Sequence, residues 1–199
     1  MRYASARFLS SITCTGLLLV APNNFALSEN AEPLSRAQSA GLPLTVNEQK
    51  IGNQTYLVAR LVINCPIESV WGLLTDYPNA PGVFKNLRKS EVLRTRGNIK
   101  SVRQLVSTAN SPFKYDYVVE VREKEPNSIT WHRTGGSMKE VTGSWDLQPI
   151  NDNRATLTTY KVFLDGGFFL PAWLLRMQMK GYLPKMLMDV KQAAERREH

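Results

Sequence analysis

The chain has only two histidines, His132 and His199, and two cysteines, Cys14 and Cys65, among its 199 residues. Their spacing suits little of the chemistry that such residues perform. His199 is the chain end, and no second Cys or His stands near Cys65, so metal ligation by His and Cys is close to excluded. No G-x-S-x-G, H-E-x-x-H or phosphate-cradling glycine loop is present. Paired carboxylates are also missing, so no cofactor and no catalytic residue is expected. Cys65 follows a strand-like run and precedes Pro66, and it reads as a small core residue.

Aromatic residues carry the remaining chemical interest. Phe113, Tyr115, Tyr117, Val119 and Val121 share one face of an alternating run, with Lys114, Asp116, Glu120 and Arg122 on the other. After the turn signal Glu125-Pro126-Asn127-Ser128, Ile129 and Trp131 alternate with Thr130 and His132, which places His132 outward. Val141, Gly143, Trp145 and Leu147 continue the pattern beyond Gly135-Gly136. In residues 155–164, Tyr160, Val162 and Leu164 are placed inward, which leaves Leu157 and Phe163 on the outer face. The inner face thus combines bulk with hydroxyl and indole groups. Two arrangements fit it, a filled aromatic core or a lined cavity.

The elements that must hold this face follow from periodicity. Leu57, Ala59, Leu61 and Ile63 share one side of a strand over residues 56–64, with Arg60 opposite. A short helix over residues 67–75 gathers Val70, Trp71 and Leu74. Pro78 and Pro81 restrict the next segment to a turn or short helix, and residues 87–94 read as a strand. A terminal helix over residues 171–197 opens on Pro171, a first-turn residue, and should kink near Gly181 and Pro184. Trp173, Leu174, Met177, Gly181 and Met188 are expected on its apolar side. Met177, Met179, Met186 and Met188 make it a surface that repacks around apolar guests. This order describes an α+β domain, a curved antiparallel sheet around one long helix with space between them. A cavity there favours a ligand site of Tyr115, Tyr117, Val119, Trp131, Trp145, Tyr160, Val162, Leu174, Met177 and Gly181.

The start of the chain has a different character. Arg2 and Arg7 precede the apolar residues 8–21, and small and polar residues follow over 23–28, the pattern of a secretory signal. The apolar stretch is shorter than the roughly 20 residues a membrane-spanning helix needs. Residues 1–28 are therefore expected to be a signal peptide and 29–43 a flexible leader rich in Ser, Ala, Glu, Gln and Pro. The ligand-binding domain then covers 44–199, and the protein is exported, to a periplasm or the medium. Cleavage would remove Cys14 and leave Cys65 without a disulfide partner.

Three runs carry a family resemblance: V-W-G-L-L-T-D-Y-P-N-A-P-G-V-F-K-N-L-R-K-S-E-V-L (residues 70–93), the G-S-M-K-E-V-T-G-S-W-D-L that follows Trp131 (136–147), and F-L-P-A-W-L-L (169–175). They resemble the START-like (SRPBCC) superfamily, in particular its polyketide cyclase/dehydrase and coenzyme Q-binding branch. The resemblance covers roughly residues 44–197. It implies a helix-grip fold and a hydrophobic cavity for a lipid, an isoprenoid quinone or an aromatic ligand, usually without metal. Such folds host binding proteins and enzymes alike. A carrier is the expected reading. A cyclase or aromatase would need an acid or base in the cavity, and an interaction domain would have the cavity collapsed.

The formal net charge of +8 adds a surface expectation. Residues 85–103 hold Lys85, Arg88, Lys89, Arg94, Arg96, Lys100 and Arg103 against Glu91 alone. Such a run is either a solvated hairpin face or a surface for transient contact with anionic lipid headgroups, each basic residue adding about 1 kcal/mol. Lys85, Arg88, Lys89, Arg94 and Arg96 are the residues assigned to that contact. Nucleic acid is not an expected partner, because the aromatics face inward instead of interleaving with the basic residues.

Overall fold

A computed structural model describes residues 43–107, 114–168 and 170–198; the expected signal peptide and most of the leader lie outside them. Eight strands form one antiparallel sheet: β1 (Thr45–Ile51), β2 (Gln54–Ile63), β3 (Leu87–Arg96), β4 (Ile99–Ser107), β5 (Lys114–Lys124), β6 (Ser128–Gly136), β7 (Glu140–Ile150) and β8 (Ala155–Asp165). Their spatial order is β1-β2-β8-β7-β6-β5-β4-β3. The helix α1 (Ile67–Leu74) and a 3-10 turn (Tyr77–Gly82) link β2 to β3, and the long helix α2 (Ala172–Arg197) closes the chain. This is the helix-grip architecture that the element order and the resemblance imply.

Two strands lacked a clear sequence signal. In β1 only Val46 is even half-buried, so alternation could not mark it. It pairs with β2 across a turn at Gly52, whose φ of +59° suits glycine. Strand β4 alternates weakly around the buried Val102, and its turn from β3 uses Gly97 at φ +56°.

The helix α1 begins at Pro66, which gives no side-chain cap. Its cap comes instead from the β7–β8 turn. Asn153 Oδ1 accepts the Ile67 N–H at 3.0 Å, and its amide donates to Glu68 at 2.9 Å. One of the helix's unpaired first-turn donors is thereby satisfied from a distant strand connection. Asn151, Asp152 and Asn153 all have positive φ, a conformation that Asn and Asp adopt more readily than other side chains. The cap fixes α1 on the sheet, where Ile67, Val70, Trp71, Leu73 and Leu74 are buried.

Helix α2 packs on β2, β8, β1 and α1 and runs unbroken through Gly181 and Pro184. Its buried stripe is Leu175, Leu183, Met186, Leu187, Val190 and Ala194. Lys191 and Glu195 pair on the helix and hold the end of β2: Lys191 Nζ donates to the Val62 carbonyl at 2.9 Å, and the Asn64 N–H donates to Glu195 at 2.8 Å. Glu48 of β1 meets Lys180 at 2.9 Å and Arg176 at 3.5 Å. Cys65 is buried, as a small core residue should be, and burial pushes its thiol up to about 11. Among the described residues no helix is long and apolar enough to cross a membrane.

Candidate ligand-binding cavity

Strand alternation and sheet curvature together create a cavity of about 290 Å³ between the sheet and the first half of α2. That lies close to the lower end of the usual range for small-molecule sites, about 300 Å³. Tyr115, Tyr117, Val119, Trp131, Trp145, Tyr160 and Val162 all line it. The aromatics sit together on the inner face: Trp145 and Tyr160 have ring centroids 4.4 Å apart, Trp131 and Tyr160 5.8 Å. Gly143 permits this. A Cβ there would stand 2.4 Å from the Trp131 indole and 2.3 Å from the Lys161 carbonyl oxygen, so Trp131 can lie across β7 only over a glycine. Phe163 faces away, as parity predicts, and meets Tyr56 at 5.7 Å.

The helical half of the expected site needs correction. Leu174, Met177 and Gly181 do not line the cavity; Leu175, Gln178, Met179, Tyr182 and Met186 do. Met177 is 61 % and Trp173 60 % exposed, and a Cβ on Gly181 would meet nothing within 4 Å. The reason is helix phase. Val190, Leu187 and Leu183 are fully buried against the sheet, and an unbroken helix carries that phase back in steps of three and four to Met179 and Leu175. Trp173, Met177 and Met188 form a second apolar stripe that faces outward.

No Asp, Glu, Lys, Arg or His lines the cavity among the described residues. Burial raises the Tyr117 and Tyr160 hydroxyls well above the ordinary tyrosine value, and the neighbouring Tyr117 and Tyr182 hydroxyls raise Tyr160 further. These groups stay protonated at any physiological pH. His132 is exposed on the outer face, away from the cavity.

Charge does lie just behind one wall. Tyr77, whose ring lines the cavity, donates to Glu123 Oε1 at 2.7 Å, and Lys100 meets the same carboxylate at 2.8 Å with its ammonium 5.2 Å from the Tyr77 ring. Lys100 therefore leaves the expected solvated run and joins an inner, largely buried ion pair. The signal was present in the sequence, because Glu123 continues the inward parity of Tyr117, Val119 and Val121. Sequence reasoning also missed Tyr182, Phe84 and Gln104 as lining residues.

The surface basic residues divide. Arg94 and Arg96 stand near the β3–β4 turn, about 20 Å along the strand from Arg88 and Lys89. Lys89 pairs with Glu91 at 2.7 Å, and Lys85 lies 3.8 Å from Asp189 of α2. Only Lys85, Arg88 and Lys89 flank the lining residues Phe84, Asn86 and Leu87.

Comparison with known proteins agrees with this architecture. The chain belongs to the polyketide cyclase / dehydrase and lipid transport family, whose model matches residues 63–191. No curated protein sequence matches it significantly. Among solved structures, the STAR-related lipid transfer protein of Xanthomonas axonopodis is 14 % identical with a TM-score of 0.65, covering 78 % of this chain and 96 % of that one. The Zhui aromatase/cyclase of Streptomyces sp. R1128 is 17 % identical, TM-score 0.62, covering 72 % and 95 %. Human STARD10 is 12 % identical, TM-score 0.61, covering 80 % and 76 %. At these identities the likeness shows a shared fold, which includes neighbours named for catalysis and for lipid transfer.

Proposed function

We propose that this is an exported protein that binds or carries a hydrophobic ligand, a lipid, an isoprenoid quinone or an aromatic molecule, in the cavity between sheet and α2. The observation that carries this reading is the cavity wall itself, a mainly aromatic and aliphatic surface that includes the amides of Asn86, Gln104 and Gln178 but, among the described residues, no carboxylate, amine or imidazole. A cyclase or aromatase would need a general acid or base there, and the lining tyrosines, held protonated by burial, supply no base near neutral pH. A collapsed interaction domain would lack the 290 Å³ of space. The signal-like residues 1–28 support export, and Lys85, Arg88 and Lys89 beside the cavity wall support transient contact with anionic headgroups during loading, with Arg94 and Arg96 as a separate, weaker contribution.

The test is mass spectrometry of an organic extract of protein purified from the envelope of its native host. A hydrophobic molecule should accompany the wild type and be lost from a Val119→Phe variant, because Val119 lines the cavity and a larger ring would fill it. The same preparation should begin near Leu27 or Glu29 on N-terminal sequencing. Cytoplasmic protein with Met1 intact would overturn export, and turnover of a polyketide substrate by the purified protein would overturn the carrier reading.

A further inference from the structure

Three tyrosines line the cavity from three separate elements: Tyr117 from β5, Tyr160 from β8 and Tyr182 from α2. Tyr160 is 8 % exposed, and its hydroxyl lies within electrostatic reach of the other two. Tyr182 lies near the Asn86 backbone N–H, and both residues line the cavity. The Tyr117 and Tyr160 hydroxyls have no hydrogen-bond partner among the described residues, unlike Tyr56 and Tyr77, whose hydroxyls donate to Gln54 and Glu123. The Trp131 and Trp145 indoles beside them add N–H donors that can only donate. The two hydroxyls are donors without a protein partner on the cavity wall among the described residues, and a ligand that leaves them unpaired forgoes a hydrogen bond.

We infer that the cavity is built for a neutral ligand carrying a carbonyl-type oxygen, which the Tyr117, Tyr160 and Tyr182 hydroxyls grip at its polar end while the aromatic and aliphatic wall takes the rest. The inference rests on the binding function proposed above and narrows its ligand class. A carboxylate or phosphate is disfavoured, because among the described residues no cation lines the wall to offset its desolvation; Lys100, behind the Tyr77 wall, is already paired with Glu123. A pure hydrocarbon is disfavoured for the opposite reason, since it would leave the donors unmet. Water can satisfy the same hydroxyls, but water alone would confer no preference between ligands.

Three probes of one shape separate these cases in equilibrium dialysis against the full mature chain: dimethylnaphthoquinone with both free ring positions methylated, dimethylnaphthalene, and naphthoate. Wild type should retain the quinone about tenfold or more tightly than the hydrocarbon, as one good hydrogen bond implies, and naphthoate least. In a Tyr117→Phe/Tyr160→Phe variant, and to a smaller extent in Tyr160→Phe alone, that preference should collapse to within about threefold while hydrocarbon binding persists, which also reports an intact cavity. Equal wild-type affinity for quinone and hydrocarbon would overturn the hydroxyl grip yet leave the cavity a binding site. A preference that survives both substitutions would place the recognition elsewhere, and tighter binding of naphthoate would overturn neutrality. Failure of all three probes to bind would overturn the binding function and this inference with it.

Discussion

The two halves of α2 lie on the same sheet and do opposite things. From Leu183 to Ala194 the inward stripe of the helix is closely packed, apart from Met186 at the cavity edge: Leu183, Leu187, Val190 and Ala194 have no exposed surface and meet an equally closed patch of Ala59, Ile63 and Val70. From Leu175 to Tyr182 it roofs a void, and its outer side exposes Trp173 and Met177. The polar contacts divide likewise. Lys191 and Glu195 bond the backbone of the β2 end, whereas Arg176 and Lys180 reach Glu48 through ion pairs on the surface, which add little stability. Burial at one end holds the fold, and its absence at the other leaves room for a guest.

The largest effect expected from this contrast is in the solid half. Leu187→Ala should cost about 2–5 kcal/mol in denaturant unfolding, the usual range for truncating a fully buried leucine. Met179→Ala at the roof should cost at most about half as much, because its side chain already lacks neighbours on the cavity side. Equal losses would mean that the roof is as closely packed as the far end.

A second difference concerns alkali. The tyrosines with strongly raised values, Tyr77, Tyr117 and Tyr160, all border the hollow half. An unfolded tyrosine loses its proton near pH 10, while these hold theirs to higher pH in the folded chain. Their contribution is therefore complete below about pH 10 and falls as pH rises toward the folded values, by up to about 1.4 kcal/mol per pH unit for each. The unfolding free energy should fall by about 2 kcal/mol between about pH 9.5 and 10.5, since each of the three contributes about half the limiting slope across its unfolded value. A Tyr117→Phe/Tyr160→Phe variant should fall less steeply, and an unchanged slope would mean that those hydroxyls are solvated.

The solid and hollow halves were unequally legible in the sequence. Strands such as β2 and β5 declare an inner face by alternation, so Leu57 to Ile63 and Tyr115 to Val121 are placed correctly from residue types alone. The edge strand β1 has no buried row to declare, because apart from Val46 its residues are exposed on both faces. The phase of α2 was misread for a physical reason. The helix is apolar on two sides, Trp173-Met177-Met188 outward and Met179-Leu183-Leu187-Val190 inward, and only packing against β2 and α1 decides which one turns in. Hollowness itself is decided at no single residue; it depends on how far the curved sheet stands from the helix, which no periodicity records.

The smallest effect expected is also the sharpest check on that phase. Gly181 sits in the interior of α2, on the solvent side, with open space where a Cβ would go. An alanine there would clash with nothing and would lose less conformational freedom on folding than glycine does. Gly181→Ala should therefore stabilise the protein by about 0.5–1 kcal/mol and leave probe binding in the cavity unchanged. Gly181→Leu should behave almost the same, since its side chain would extend into solvent between Met177 and Lys185. If Gly181→Leu instead excludes the probes, residue 181 faces the cavity, and the Leu174, Met177 and Gly181 face is the one that roofs it. If it costs 1 kcal/mol or more without touching binding, the outer stripe is covered in the native protein, and the contrast between the two halves of α2 must be redrawn with a further contact surface along Trp173, Met177 and Met188.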